Sequence, residues 1–193
     1  MSYRELIESN VETLVGLAQR ISKHDFHAVE LLGRTIAKTL KGGGTVFWSG
    51  NGGSAADAQH LSAELIGRLV SNRAPLSSVA LNSDVAAITC IANDFGYENI
   101  FSRQLDGLAS SRDLLIVLST SGESANVLEA LHAAKRLKLS SAALLGKGGG
   151  SAKSIAEIEI VVDSMETARI QEIHKLIGHT ACQIAERELG FSN

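Results

Sequence analysis

The sequence predicts an α/β fold, a doubly wound parallel sheet of five strands with helices on both faces. Three observations predict it. Five short apolar runs, at residues 45–48, 78–81, 114–118, 142–145 and 158–162, have the length and content of buried strands. Segments with apolar residues at helical spacing separate them. Glycine and serine clusters stand where strands give way to helices, which is where such sheets bind ligands.

The elements follow in order. Residues 3–21 carry Leu6, Ile7, Val11, Leu14, Val15, Leu17, Ala18 and Ile21 at helical spacing. Residues 26–40 repeat the pattern with Val29, Leu32, Ile36, Ala37 and Leu40, then stop at Gly42-Gly43-Gly44. These two amphipathic helices are expected to form a hairpin over residues 1–43, ahead of the α/β body. The first strand, 45–48, ends in a glycine turn and an Ala-rich helix. A loop around Pro75 leads to strand 78–81. Asp84 is placed to cap a helix through Ile88 and Ile91 to Ala92, and residues 93–98 are expected to break it. A further helix runs from about Ile100 to Leu108. Strand 114–118 runs directly into Ser119-Thr120-Ser121-Gly122-Glu123-Ser124, and a helix covers 127–137. After strand 142–145, Gly148-Gly149-Gly150 opens a turn. Strand 158–162 is the last, and residues 167–189 form a long closing helix.

A chain of 193 residues fits one domain, 1–193, with a sizeable core. Its 45% hydrophobic and 20% charged content is that of a globular protein. A net charge of −3 without a basic block points to no nucleic-acid or membrane partner. Two cysteines provide no disulfide framework. With no apolar signal core near Met1, the expectation is a cytoplasmic protein. Cys90 and Cys182 lie in apolar helical contexts and read as core residues, as does Trp48. His24, His27 and His132 have no partners in sequence.

Three stretches could carry chemistry. Gly50-Asn51-Gly52-Gly53-Ser54-Ala55 joins a strand to a helix start, where backbone N–H groups can meet an anion. It fits the dinucleotide pattern G-x-G-x-x-A only weakly, because Asp84, the candidate acidic partner, lies over thirty residues on. No Gly-Lys-Ser/Thr follows, so it is not a P-loop. The second stretch, residues 119–124, places four hydroxyls around one glycine between a strand and a helix, which suits a phosphate. Glu123 would repel that phosphate and is expected to point outward. The third is His60 with Glu64, four residues apart on one helical face, where both can reach one divalent ion. Gln171, Glu172, His174 and His179 on the closing helix add ligand-capable groups. By spacing alone, Gln171 with His174 is an easier pair than Gln171 with His179, which lie about 12 Å of rise and 80° apart.

The run from Gly50 to Ser54 with Ala58-Gln59-His60 and Glu64, then Ala92-Asn93-Asp94-Phe95-Gly96, then Ser119-Thr120-Ser121-Gly122 with Ser124, then Arg169-Ile170-Gln171-Glu172 with His174 and His179, resembles the phosphoheptose isomerases of the sugar isomerase (SIS) fold. The resemblance covers nearly the whole chain. It implies an aldose–ketose isomerase that interconverts sedoheptulose 7-phosphate and D-glycero-D-manno-heptose 7-phosphate for the heptose of lipopolysaccharide or related glycoconjugates. It also implies a homotetramer with one zinc ion per subunit. By position, the metal ligands fall on His60, Glu64, Gln171 and His179. Substrate contacts fall on Asn51, Gly52, Gly53, Ser54, Glu64, Asn93, Asp94, Ser119, Thr120, Ser121, Ser124 and Gln171. The catalytic roles fall to Glu64 as base at carbon and His179 as acid at the sugar oxygens. Glu123 departs from the neutral residue the family implies. A replication-initiation regulator of the same fold is a protein-binding adaptor without the acid matching Glu64, so Glu64 implies an enzyme. An isomerase for another sugar phosphate, such an adaptor, and a dinucleotide-dependent oxidoreductase remain the alternatives.

Overall fold

The computed structural model describes residues 1–191. Helix α1 (Tyr3–Arg20) runs through a π-helical turn, Ile21–Asp25, into α2 (Phe26–Lys41). There follow β1 (Val46–Gly50), α3 (Gly53–Ile66), β2 (Ser78–Ala80), α4 (Val85–Phe95) and, after a 3₁₀ turn, α5 (Ser102–Leu108). Next come β3 (Leu114–Ser119), α6 (Ala125–Leu137), β4 (Ser140–Gly146), the turn Lys147–Ala152, β5 (Ile158–Val162) and α7 (Thr167–Glu188). The five strands are all parallel, in the order β2-β1-β3-β4-β5.

Strand periodicity decides which side chain meets which helix layer. Val46, Trp48, Leu114, Ile116, Leu118, Leu144 and Ile160 face a core closed by α2, α3 and α7. Phe47, Leu115, Val117, Ala143 and Leu145 face the opposite core, closed by α5 and α6. Trp48 is fully buried, and its indole N–H donates to Ser78 Oγ at 3.0 Å. Successive strands go one way from β1 and the other way from β3. The order therefore reverses between them, leaving a crevice above their carboxyl ends.

Three expectations are corrected. The N-terminal helices do not fold back as a hairpin. The chain stays helical from Tyr3 to Lys41 through the π-helical turn, and α1 has no fully buried residue, its Leu14, Leu17 and Ala18 packing half-buried against the core and its Asn10 carbonyl accepting from Arg169 of α7. The helix capped by Asp84, whose carboxylate accepts from Ala87 N at 2.9 Å, runs three residues further than expected, through Asn93, Asp94 and Phe95. Glycine, not the Asn-Asp pair, ends it. Cys90 is exposed, because α4 buries no residue fully and packs on the core only through the partly buried Ile88, Ile91 and Ala92; Cys182 is buried in the α7 core, which pushes its thiol up to about 12.

Candidate active site

The crevice between β1 and β3 carries a polar cradle. β1 ends at Gly50, and Asn51-Gly52 turns the chain into α3 at Gly53. β3 ends at Ser119, and residues 120–124 lead to α6. Between them lies a cavity of about 170 Å³ lined by Asn51, Ser54, Ser119, Thr120, Ser121, Ser124 and, from α7, Thr167 and Gln171. Ser124 occupies the N-cap position of α6, but its hydroxyl makes no capping bond. The helix start and that hydroxyl are both left facing the cavity, as an anion site needs. Ser119 Oγ accepts from Gly122 N at 3.0 Å and Ser121 Oγ from Glu123 N at 3.2 Å, so the loop is pinned while both hydroxyls keep their protons to donate.

Two glycines make this loop system possible. Gly122 has φ 68°, and a Cβ there would run into the Gly149 carbonyl. Gly53 lies against the Gln171 amide, and a Cβ would come 2.5 Å from Gln171 Nε2. Glu123 turns away from the hydroxyls, as expected: Oε1 accepts from Ser151 N at 2.9 Å and Oε2 from Ser151 Oγ at 2.6 Å. Its charge is spent on the glycine-rich turn after β4.

The second feature is a cluster on α3 and α7. His60 Nε2 lies 2.8 Å from His179 Nε2 and 3.4 Å from Glu64 Oε1. The three ligand atoms all fall within 4.8 Å of one another. Burial, then the neighbouring His60 ring, lowers the His179 pKa from its usual value. Its neutral form is thereby favoured, and only a neutral imidazole can hold a metal. Two imidazole nitrogens and a carboxylate oxygen converging from two helices are the donor set of a divalent transition metal such as zinc. The residues present therefore fit such an ion.

One register relates cradle and cluster. α3 and α7 run parallel, with Gly53 against Gln171, Asp57 bonded to Lys175, Leu61 against Gly178 and His60 against His179. Arg73 closes the far end. Its guanidinium donates to the carbonyls of Glu64 at 2.8 Å and Leu65 at 2.7 Å and pairs with Glu186 of α7 at 2.8 Å, both side chains fully buried. The backbone that carries Glu64 is thus tied to the helix that carries His179.

Not every candidate enters the site. His174 is buried toward the sheet, with Nε2 donating to the Leu145 carbonyl at 3.0 Å, so spacing misleads in pairing it with Gln171. Asn93 and Asp94 are exposed on the last turn of α4, with Asn93 Nδ2 donating to Asp94 Oδ1 at 2.6 Å, and neither lines the cavity. Gly52 is exposed at φ 58° at the mouth of the turn. Gln171 lines the cavity at the cradle end of α7.

A family model described as "SIS domain" matches residues 11–146. The chain is 50% identical to a phosphoheptose isomerase of Campylobacter concisus over 82% of its length and 84% of that relative's. The chain belongs to the phosphoheptose isomerase family. A Helicobacter pylori phosphoheptose isomerase is 40% identical over 100% of this chain and 95% of its own. The solved phosphoheptose isomerase of Francisella tularensis superposes with a TM-score of 0.92 at 34% identity, over 97% of this chain and 100% of that one. Sequence reasoning about this phosphoheptose isomerase family member missed Asn126, Tyr97, Asp57 and Lys175. Asn126 exchanges two amide hydrogen bonds with Asn51, each 2.8 Å, and Tyr97 Oη donates to Asn51 Oδ1 at 3.1 Å. Asn126 and Tyr97 carry no signal in sequence. Asp57 and Lys175 do, because they share helical stripes with His60 and His179.

Proposed function

We propose that the chain is an isomerase that interconverts sedoheptulose 7-phosphate and D-glycero-D-manno-heptose 7-phosphate. The observation that carries this reading is a polar cradle and a His-Glu-His cluster at the two ends of the packed α3–α7 pair. Gly53 and His60 are seven positions apart and Gln171 and His179 eight, which puts the cluster about 10–12 Å along the helices from the cradle. At about 1.5 Å per bond, an extended seven-carbon chain with its phosphoester spans about 10 Å, so its phosphate and carbonyl ends can occupy both at once.

In this reading Ser119, Thr120, Ser121 and Ser124 hold the phosphate and fix the register of the chain. Asn51, Gly52, Gly53, Ser54 and Gln171 contact the sugar, and Asn93 and Asp94 would have to reach it from the exposed last turn of α4. His60, Glu64 and His179 would hold one zinc ion per subunit, with the Gln171 amide reaching toward it from the cradle end of α7. A divalent cation there supplies Lewis-acid polarisation of the carbonyl. Glu64 takes the proton from one carbon and returns it to its neighbour, and His179 exchanges the proton between the two oxygens, so the reaction is a net 1,2-proton shift through an enediol. The whole chain acts as one SIS domain, assembles as a homotetramer and works in the cytoplasm on the heptose branch of lipopolysaccharide or related glycoconjugates. The test is turnover of sedoheptulose 7-phosphate against other sugar phosphates, before and after chelation. The expected result is turnover of the heptulose that chelation abolishes and zinc restores. A protein that binds no metal and turns over none of them would instead be a non-catalytic adaptor.

A further inference from the structure

Between the cradle and the cluster, the seam of α3 and α7 carries a cation, Lys175. On α7 the sequence Gln171, Lys175, His179 steps four residues at a time, and on α3 the facing stripe is Gly53, Asp57, His60, Glu64. Lys175 therefore stands about 6 Å of rise from the cradle residue and about 6 Å from the cluster residue. Its Nζ is 2.9 Å from Asp57 Oδ1, and the two ends of this pair differ in exposure: 8% of the Asp57 side chain is accessible against 48% of that of Lys175.

A solvated surface pair would leave both side chains free to move and would contribute little. Here a nearly buried carboxylate fixes the position of an ammonium group that is itself half open. An ammonium has three donors and no acceptor. The bond to Asp57 uses one and leaves two on a side chain that is half exposed. A sugar phosphate stretched from Ser119–Ser124 to His60–Glu64–His179 would bring its middle carbons, each with a hydroxyl acceptor, past this point.

We propose that Lys175 is a substrate-binding residue. Anchored by Asp57, its ammonium donates to mid-chain hydroxyls of the sugar phosphate and sets how far the carbonyl end reaches into the cluster. The inference rests on the isomerase reading and adds a residue to its site.

The test uses the metal-loaded protein with Lys175→Met, Lys175→Gln and Lys175→Arg. Loss of a charged hydrogen bond to substrate raises KM for sedoheptulose 7-phosphate about tenfold or more in the Met and Gln variants. Lys175→Arg, which keeps charge and donors, restores most of it. Inhibition by inorganic phosphate and bound metal report on cradle and cluster and stay near their wild-type values, while Tm falls in the Met and Gln variants, which leave the Asp57 carboxylate unpaired, and recovers in Lys175→Arg. A Met and a Gln variant both within twofold of wild-type KM would overturn the proposal. So would a KM rise matched by weaker phosphate inhibition or by metal loss, since the effect would then belong to cradle or cluster. Wild-type turnover with unaffected variants removes this inference alone. A wild-type protein that neither binds nor turns over the heptulose removes the isomerase reading and this inference with it.

Discussion

His174 and His179 stand five residues apart on α7 and meet opposite environments. His174 falls in the stripe Ile170, Ile173, Ile177, Ala181 that packs on the sheet, and burial pushes its pKa down to about 4. His179 falls on the opposite stripe with Gln171 and Lys175. The i,i+3 spacing of Gln171 and His174 cannot tell which helix face meets the sheet. The apolar stripe around His174 can, and it was legible in the sequence. Glu64 was legible too, by its spacing from His60. The role of Asn126 was not, since its bond to Asn51 joins residues 75 positions apart. The two histidines also differ in what pH does to them. With its folded pKa below the ordinary 6.5, His174 takes up a proton in the unfolded chain first. Stability is then full above about pH 6.5 and falls as the pH drops toward 4, by about 3 kcal/mol for a shift of this size. Urea unfolding at pH 7 and pH 4.5 should show that loss, and His174→Leu should flatten it. An equally steep pH dependence in the variant would assign it to other groups.

At the scale of elements, apolar runs located all five strands to within a few residues, because a parallel strand buried on both faces must be apolar throughout. Helix ends were less legible. Asn93 and Asp94 are poor helix formers in isolation, yet α4 carries them to its last turn. The expected hairpin failed because two amphipathic stripes do not state how their helices are joined, and here a π-helical turn joins them without reversal. The serine loop was legible as a phosphate site, but its support was not: it leans on the glycine turn after β4, whose Gly149 carbonyl abuts Gly122 and whose Ser151 holds Glu123. Gly122→Ala therefore strains both φ and packing. It should cost about 1–3 kcal/mol in urea unfolding and raise KM for the sugar phosphate. A variant of wild-type stability and KM would show that the loop does not depend on that contact.

For the whole molecule, two features reach beyond any one element. Arg73 and Glu186 form a buried ion pair that ties the loop before β2 to the ends of α3 and α7. The second is α1, whose Ile7, Val11 and Val15 form an exposed stripe, with Ile7 63% and Val11 54% accessible. Apolar stripes of this kind mark contact surfaces. The proposed tetramer is the cover the account gives them, and Ile7→Glu with Val11→Glu should lower the mass in sedimentation equilibrium without unfolding the α/β body. An unchanged mass would place the assembly contact elsewhere. The central proposal is that Glu64 moves the proton while cradle and cluster hold the two ends of one sugar phosphate. Its most direct test is turnover of sedoheptulose 7-phosphate by zinc-loaded wild type and Glu64→Gln, with bound metal measured in both. The account predicts wild-type turnover and a loss of at least about a hundredfold in kcat in the variant, beyond any loss of metal. Near wild-type turnover by a metal-loaded Glu64→Gln protein would contradict it.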